Sequence, residues 1–205
     1  MATPKSPFLV YEDFISPKNC EEIVADLGFY LPDVTPEGAP VKMMRHHDVV
    51  EVDLFDKVQV IIPNIFKHFN SEYVGTEKMQ FEFLAEGVVS QPYCDNAQYL
   101  RKKWVKTKNR DFTGILFLSD YSDESPFDDD YEVYGGKLEF MQHGFGFNPQ
   151  RGTLIVFPAG PHFIYANARI IAGDLFQVKF HFAAKSPYLH QPADFPGDHT
   201  TWFNG

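Results

Sequence analysis

From residue 79 to residue 182 the chain is a succession of short apolar runs separated by turn residues. MQFEFLAEG, FTGILFLSDY, GGKLEF, GTLIVFP, HFIYAN and DLFQVKFHF are rich in Phe, Ile, Leu and Val. Runs of this kind predict an antiparallel sheet sandwich or barrel. The 21 Phe and 10 Tyr agree with it, because aromatic rings pack well on a pleated, half-buried surface. Side chains alternate along a strand. In the last run Leu175, Gln177, Lys179 and His181 therefore share one face, and Phe176, Val178, Phe180 and Phe182 share the other.

The first 78 residues read differently. In SPKNCEEIVADLGF, Ser16 can cap a helix, Pro17 suits its first turn, and Glu21 and Glu22 lie near its positive end. Cys20, Ile23, Val24 and Leu27 form its apolar face, and Gly28 is its stop. A second helix is predicted from about Asp53 to Asn70, with Phe55, Val58, Ile62, Ile65, Phe66 and Phe69 near helical spacing. Pro63 either starts a new helix there or kinks this one. The Leu31–Pro40 segment, with three prolines, reads as a loop. The segment from Ser186 to Gly205 has no strand pattern and reads as a tail that wraps the domain or binds a partner. The expectation is one domain: helical support over 1–78, a β core over 79–182 and an irregular tail over 183–205.

A formal net charge of -10 argues against a protein that coats nucleic acid or binds an anionic membrane. No run approaches 18 apolar residues, and the N-terminus lacks an apolar leader, so a cytoplasmic protein is expected. Cys20 and Cys94 make no disulfide framework. Two charge blocks flank the FTGILFLSDY run. RKKWVKTKNR, residues 101 to 110, holds six basic residues, and DYSDESPFDDDYE, residues 120 to 132, holds seven acidic ones. They read as solvated loops, or as the rim of a barrel mouth that selects a charged partner. His46, His47 and His143 have no carboxylate at ligand spacing and read as surface residues.

The elements YCDN, RDFTGILFLSDY, YGGKLEF, PQRGTLIVFPAGPHFI and DLFQVKFHF occur in this order over roughly residues 79 to 182. In that order the chain resembles the prolyl-hydroxylase branch of the iron(II)/2-oxoglutarate dioxygenases. More loosely, it is similar to small hydroxylase-like proteins of marine bacteria and their phages. The resemblance implies a mainly β fold with flanking α elements: a double-stranded β-helix of jelly-roll or cupin type, with the N-terminal helices packed outside. It also implies iron(II), held by a His-x-Asp turn and a distant second histidine, and 2-oxoglutarate, held by a basic side chain on a strand.

Carried onto this sequence, Asp95 matches the aspartate and His162 the second histidine, while Tyr93 stands where the first histidine is expected. The place of the basic anchor is held by Gly173, Asp174 and Leu175, so Lys179 or Arg169 is left to substitute. Without the resemblance, Asp95 and Asn96 equally suit a plain turn. Two functions follow. One is an oxygenase that hydroxylates a peptide or small-molecule substrate at an altered metal site. The other is a non-catalytic structural or assembly protein, such as a phage virion component, for which an oligomer would be natural.

Overall fold

The structure is a computed structural model that describes residues 6–27, 42–45, 48–123 and 130–190. Gly28, the Leu31–Pro40 loop, His46, His47, residues 124–129 of the acidic block and the tail beyond residue 190 lie outside the described residues.

Helix α1 spans Pro17–Leu27. The Ser16 hydroxyl oxygen accepts the Asn19 N–H at 3.2 Å, and Pro17 takes the first helical position, where its missing N–H costs nothing. Its buried stripe is Cys20, Ile23, Val24 and Leu27, as the spacing predicts. Helix α2 spans Asp48–His68 and runs through Pro63. It begins five residues before the expected start, and the lead-in DVVEVD carries no Gly or Pro to stop it. Val58, Ile62, Ile65 and Phe66 are buried on both sides of Pro63, and this tertiary packing holds the helix across it.

The main sheet has the order β1-β12-β7-β15-β4-β2, with β3 also paired to β15. Its strands are β1 (Leu9–Tyr11), β2 (Lys42–Arg45), β3 (Tyr73–Thr76), β4 (Gln80–Leu84), β7 (Phe112–Phe117), β12 (Leu154–Pro158) and β15 (Leu175–Ala184). Among the described residues, the first 78 positions therefore contribute three strands as well as two helices. Two smaller sheets face it: β11 (Phe145–Phe147), β10 (Leu138–Phe140) and β13 (Tyr165–Asn167); and β14 (Ile170–Gly173), β9 (Glu132–Gly135) and β8 (Asp120–Tyr121). A 3-10 turn, Pro161–Phe163, leads into β13. Gly135 and Gly136, with φ of 93° and 67°, make the turn out of β9.

Strand β15 divides two cores as its alternation predicts. Phe176, Val178, Phe180 and Phe182 pack with the helices. Leu175 faces the opposite way, into a cluster of Ile115, Phe117, Ile155 and Phe157 against Leu138, Phe140, Tyr165 and Ile170. Burying each such side chain contributes about 1.5–3 kcal/mol, so both faces of the sheet are committed.

The basic block is not a loop. It lies mostly in a hairpin of β5 (Ala97–Leu100) and β6 (Lys103–Lys106). Arg101 and Lys102 both have positive φ, 49° and 65°, as a two-residue primed turn requires. Tyr99 and Trp104 are direct partners across the ladder, with ring centroids 5.4 Å apart. That aromatic pair stabilises pairing which the charge density concealed. No helix among the described residues is long and apolar enough to cross a membrane.

Candidate functional site

The opening of the barrel is crossed by a short segment, residues 91 to 96, ahead of the β5–β6 hairpin. Its one ladder contact is decisive. Tyr93 pairs antiparallel with Tyr165 of β13: each backbone N–H donates to the other's carbonyl at 3.0 Å. Directly opposed residues project their side chains to the same face, so two phenol rings enter the barrel together, with centroids 4.9 Å apart. Two residues on, Asp95 enters on the same side and is buried.

Asp95 Oδ2 accepts hydrogen bonds from the Thr113 hydroxyl at 2.8 Å and from the Tyr165 hydroxyl at 2.9 Å. Tyr165 Oη and Tyr93 Oη are 3.0 Å apart. A phenol has one proton. With that of Tyr165 given to Asp95, Tyr93 donates to Tyr165. Tyr93 in turn accepts from Lys179 Nζ. The result is a directed chain: ammonium, phenol, phenol, carboxylate. Lys179 also pairs with Glu82 Oε2 at 2.7 Å, and both side chains are about 2–3% exposed. Gln177 Nε2 adds a 2.7 Å bond to the same Glu82 oxygen.

Asp95 Oδ1 faces a second cation and an imidazole. Arg110 lies 3.8 Å away and donates from Nε to both oxygens of Glu77 at 3.0 Å. His181 Nε2 lies 3.9 Å from Asp95 Oδ1, too far for a hydrogen bond, and this buried nitrogen has no hydrogen-bond partner among the described residues. Its Nδ1 is 3.4 Å from the Thr113 hydroxyl. Burial pushes His181 down to about 4 against the opposing pull of Asp95, so the imidazole is neutral near pH 7. Burial raises both phenols, Tyr165 far above its ordinary range, with the Asp95 charge adding to the rise. Burial, the largest single influence, lowers Lys179, but Glu82, Tyr93 and Asp95 together outweigh it and the net shift is upward. At neutral pH the site therefore holds two neutral phenols, two ion-paired cations and a doubly capped carboxylate.

Of the residues expected here, Asp95, Tyr93 and Lys179 do come together. His162 sits on the exposed 3-10 turn with its ring 5.5 Å from that of His190, and the residue that closes on Asp95 is Tyr165, three positions later. Arg169 is exposed on the turn between β13 and β14. Thr113, Tyr165 and His181 also reach Asp95, and the family resemblance does not single them out. Strand alternation puts Phe163, Tyr165 and Asn167 on one face, but Ala166 is buried as well, so burial alone does not mark that face. His143 is half-buried rather than free on the surface: its Nε2 bonds the His162 carbonyl at 2.8 Å and its ring stacks on Phe163.

No protein-family model matches the sequence, and no curated protein matches it. Solved structures do match the fold. The viral collagen prolyl hydroxylase of Paramecium bursaria Chlorella virus-1, in complex with 2-oxoglutarate, superposes with a TM-score of 0.65 at 13% identity, covering 88% of this chain and 97% of that one. A Pseudomonas putida prolyl-4-hydroxylase gives 0.57 at 15% identity, over 90% and 95% of the two chains. The chain has the fold of the 2-oxoglutarate oxygenases. HygX of Streptomyces hygroscopicus, solved with nickel, 2-oxoglutarate and hygromycin B, gives 0.61 at 14% identity, over 94% and 91%. The expected double-stranded β-helix with helices outside is thereby present. Within this oxygenase fold, no group of three His, Cys, Asp or Glu side chains among the described residues is placed to hold a metal ion.

Proposed function

We propose that this chain is a non-catalytic member of the oxygenase fold, a scaffold whose barrel interior has become a closed polar core. The observation that carries the reading is the capping of Asp95. Thr113 and Tyr165 both donate to its Oδ2, and the chain behind Tyr165 ends in the Lys179 ammonium. An iron(II) site needs lone pairs converging on a cation, from neutral imidazoles and a carboxylate. Here Asp95 Oδ2 is met by O–H donors backed by an ammonium. The one neutral imidazole nearby, His181, adds a single nitrogen 3.9 Å from Oδ1, short of a three-ligand set among the described residues. Tyr93 and Tyr165 would have to ionise before they could bind a metal, and their environment resists ionisation. Lys179 and Arg110 would repel the cation. The residues do not fit iron(II), nor do they leave a cation for 2-oxoglutarate: Lys179 is committed to Glu82 and Tyr93.

The test is iron(II) and 2-oxoglutarate binding by calorimetry, with succinate formation followed in parallel. Wild type should bind neither tightly and form no succinate. Stoichiometric iron with 2-oxoglutarate-dependent succinate would overturn the scaffold reading. A Tyr93→His/Tyr165→His variant, which restores two imidazoles beside Asp95, should gain iron affinity while still lacking a free anchor for 2-oxoglutarate.

A further inference from the structure

The two charge blocks sit at opposite ends of β7. Residues 101 to 110 carry six basic side chains and no acidic one, and residues 120 to 132 carry seven acidic side chains and no basic one. The basic block ends at Arg110, just before Phe112 opens β7, and the acidic block starts at Asp120, just after Phe117 closes it. Six strand residues at about 3.3 Å each separate their roots by roughly 20 Å. Each block is partly paired within the molecule near β7, Lys106 with Asp111, Arg110 with Glu77 and Asp120 with Arg151, while the outer part of each block is rooted away from the other.

The basic surface has a definite shape. Arg101, Lys102 and Lys103 are exposed at the tip of the hairpin, and none forms an ion pair with a carboxylate among the described residues. Tyr99 is 60% and Trp104 41% exposed, a large apolar pair to leave in water beside so much charge. Trp104 and Lys106 continue from the hairpin into a cleft of about 400 Å³ at its foot, closed by Pro161, Phe163 and Tyr188. The buried Asn96 Oδ1, which has no hydrogen-bond partner among the described residues, lies in the same cleft. The surface thus asks for a segment that is acidic and carries an aromatic side chain. In the acidic block the sequence is DESPFDDD over residues 123 to 130, with Phe127 among five acids. Asp123 and Asp130, at its edges, are exposed.

We propose that the β5–β6 hairpin and the cleft at its foot bind the acidic segment, residues 120 to 132, of a second copy of this chain. The contact is heterologous, head to tail, so repetition gives an open chain of subunits or a closed ring. Phe127 supplies the aromatic group for the cleft, and the acids pair with Arg101, Lys102 and Lys103. The inference goes beyond the scaffold reading and stands independently of it, because nothing in the contact involves Asp95 or its network.

The experiment is sedimentation analysis of the full chain at about 20 mM and about 500 mM salt, where screening lengths differ several-fold. Association should be present at low salt and weakened at least about tenfold at high salt. Lys102→Glu/Lys103→Glu and Asp123→Lys/Asp130→Lys should each abolish it alone while the far-ultraviolet dichroism and melting temperature stay those of wild type. Mixing the two variants leaves one matched pair of surfaces and should restore a complex, of limited size. A peptide of residues 120–132 should compete with the wild-type association. A chain that stays monomeric at low salt up to hundreds of micromolar overturns the proposal. So does association that neither variant disturbs, or variants that do not complement on mixing. Succinate formation, read on the same samples, would count against the scaffold reading and leave this one untouched.

Discussion

Replacing Lys179 by Met tests the closed core directly. The change keeps the length of the side chain and removes one buried cation. Glu82, about 3% exposed, then loses its 2.7 Å ion pair, and Tyr93 loses its donor. Breaking a buried pair by removing one partner costs about 3–5 kcal/mol, because the other charge stays buried without compensation. For a chain of this size that corresponds to a fall in melting temperature of roughly 6–20 °C. Glu82→Gln should cost a similar amount by stranding the ammonium. The double variant Lys179→Met/Glu82→Gln removes both charges, so it should cost clearly less than the two single losses added together. Urea unfolding followed by circular dichroism, run as a double-mutant cycle, gives all three numbers. A Lys179→Met loss under about 1 kcal/mol, or a double variant that is simply additive, would refute the picture of a mutually dependent buried core.

The His181 shift predicts acid sensitivity. Its folded value is depressed to about 4 from 6.5 by burial, so the native state binds fewer protons than the unfolded chain between those values. The stabilisation is present above about pH 6.5 and lost as pH falls through 4, on the order of 3 kcal/mol in all; urea titrations across that window should show the slope, and His181→Gln should flatten it. Tyr165→Phe removes a donor to the buried Asp95 carboxylate and should lower stability by about 1–3 kcal/mol in the same assay; an unchanged midpoint would mean that Asp95 does not depend on that bond. Gly135→Ala should be strongly destabilising in a thermal melt, because φ is 93° and the new Cβ would meet the Arg169 carbonyl oxygen at 2.1 Å.

Much of the fold is legible in local pattern. The alternation of DLFQVKFHF fixes which side chains of β15 enter each core, since a strand has only two faces, and it puts Lys179 and His181 together on the polar one. The spacing of Cys20, Ile23, Val24 and Leu27 likewise fixes the buried side of α1. Local pattern is silent on which distant strand a segment will oppose. The run HFIYAN offers two plausible side chains, His162 and Tyr165, three residues apart. The 3-10 turn at Pro161–Phe163 and the pairing of Tyr93 with Tyr165, 72 residues away, decide that the phenol reaches Asp95 while the imidazole stays at the surface. The basic hairpin is a second case. Composition reports its charge, but its shape follows from a cross-strand Tyr99–Trp104 contact that exists only once the strands have paired. Sequence by itself determines periodicity and chemical inventory. Which groups meet, and so whether the carboxylate at the barrel's centre is open to a metal or capped by hydroxyls, is set by long-range register, because hydrogen bonds of this length tolerate only a few tenths of an ångström of misplacement.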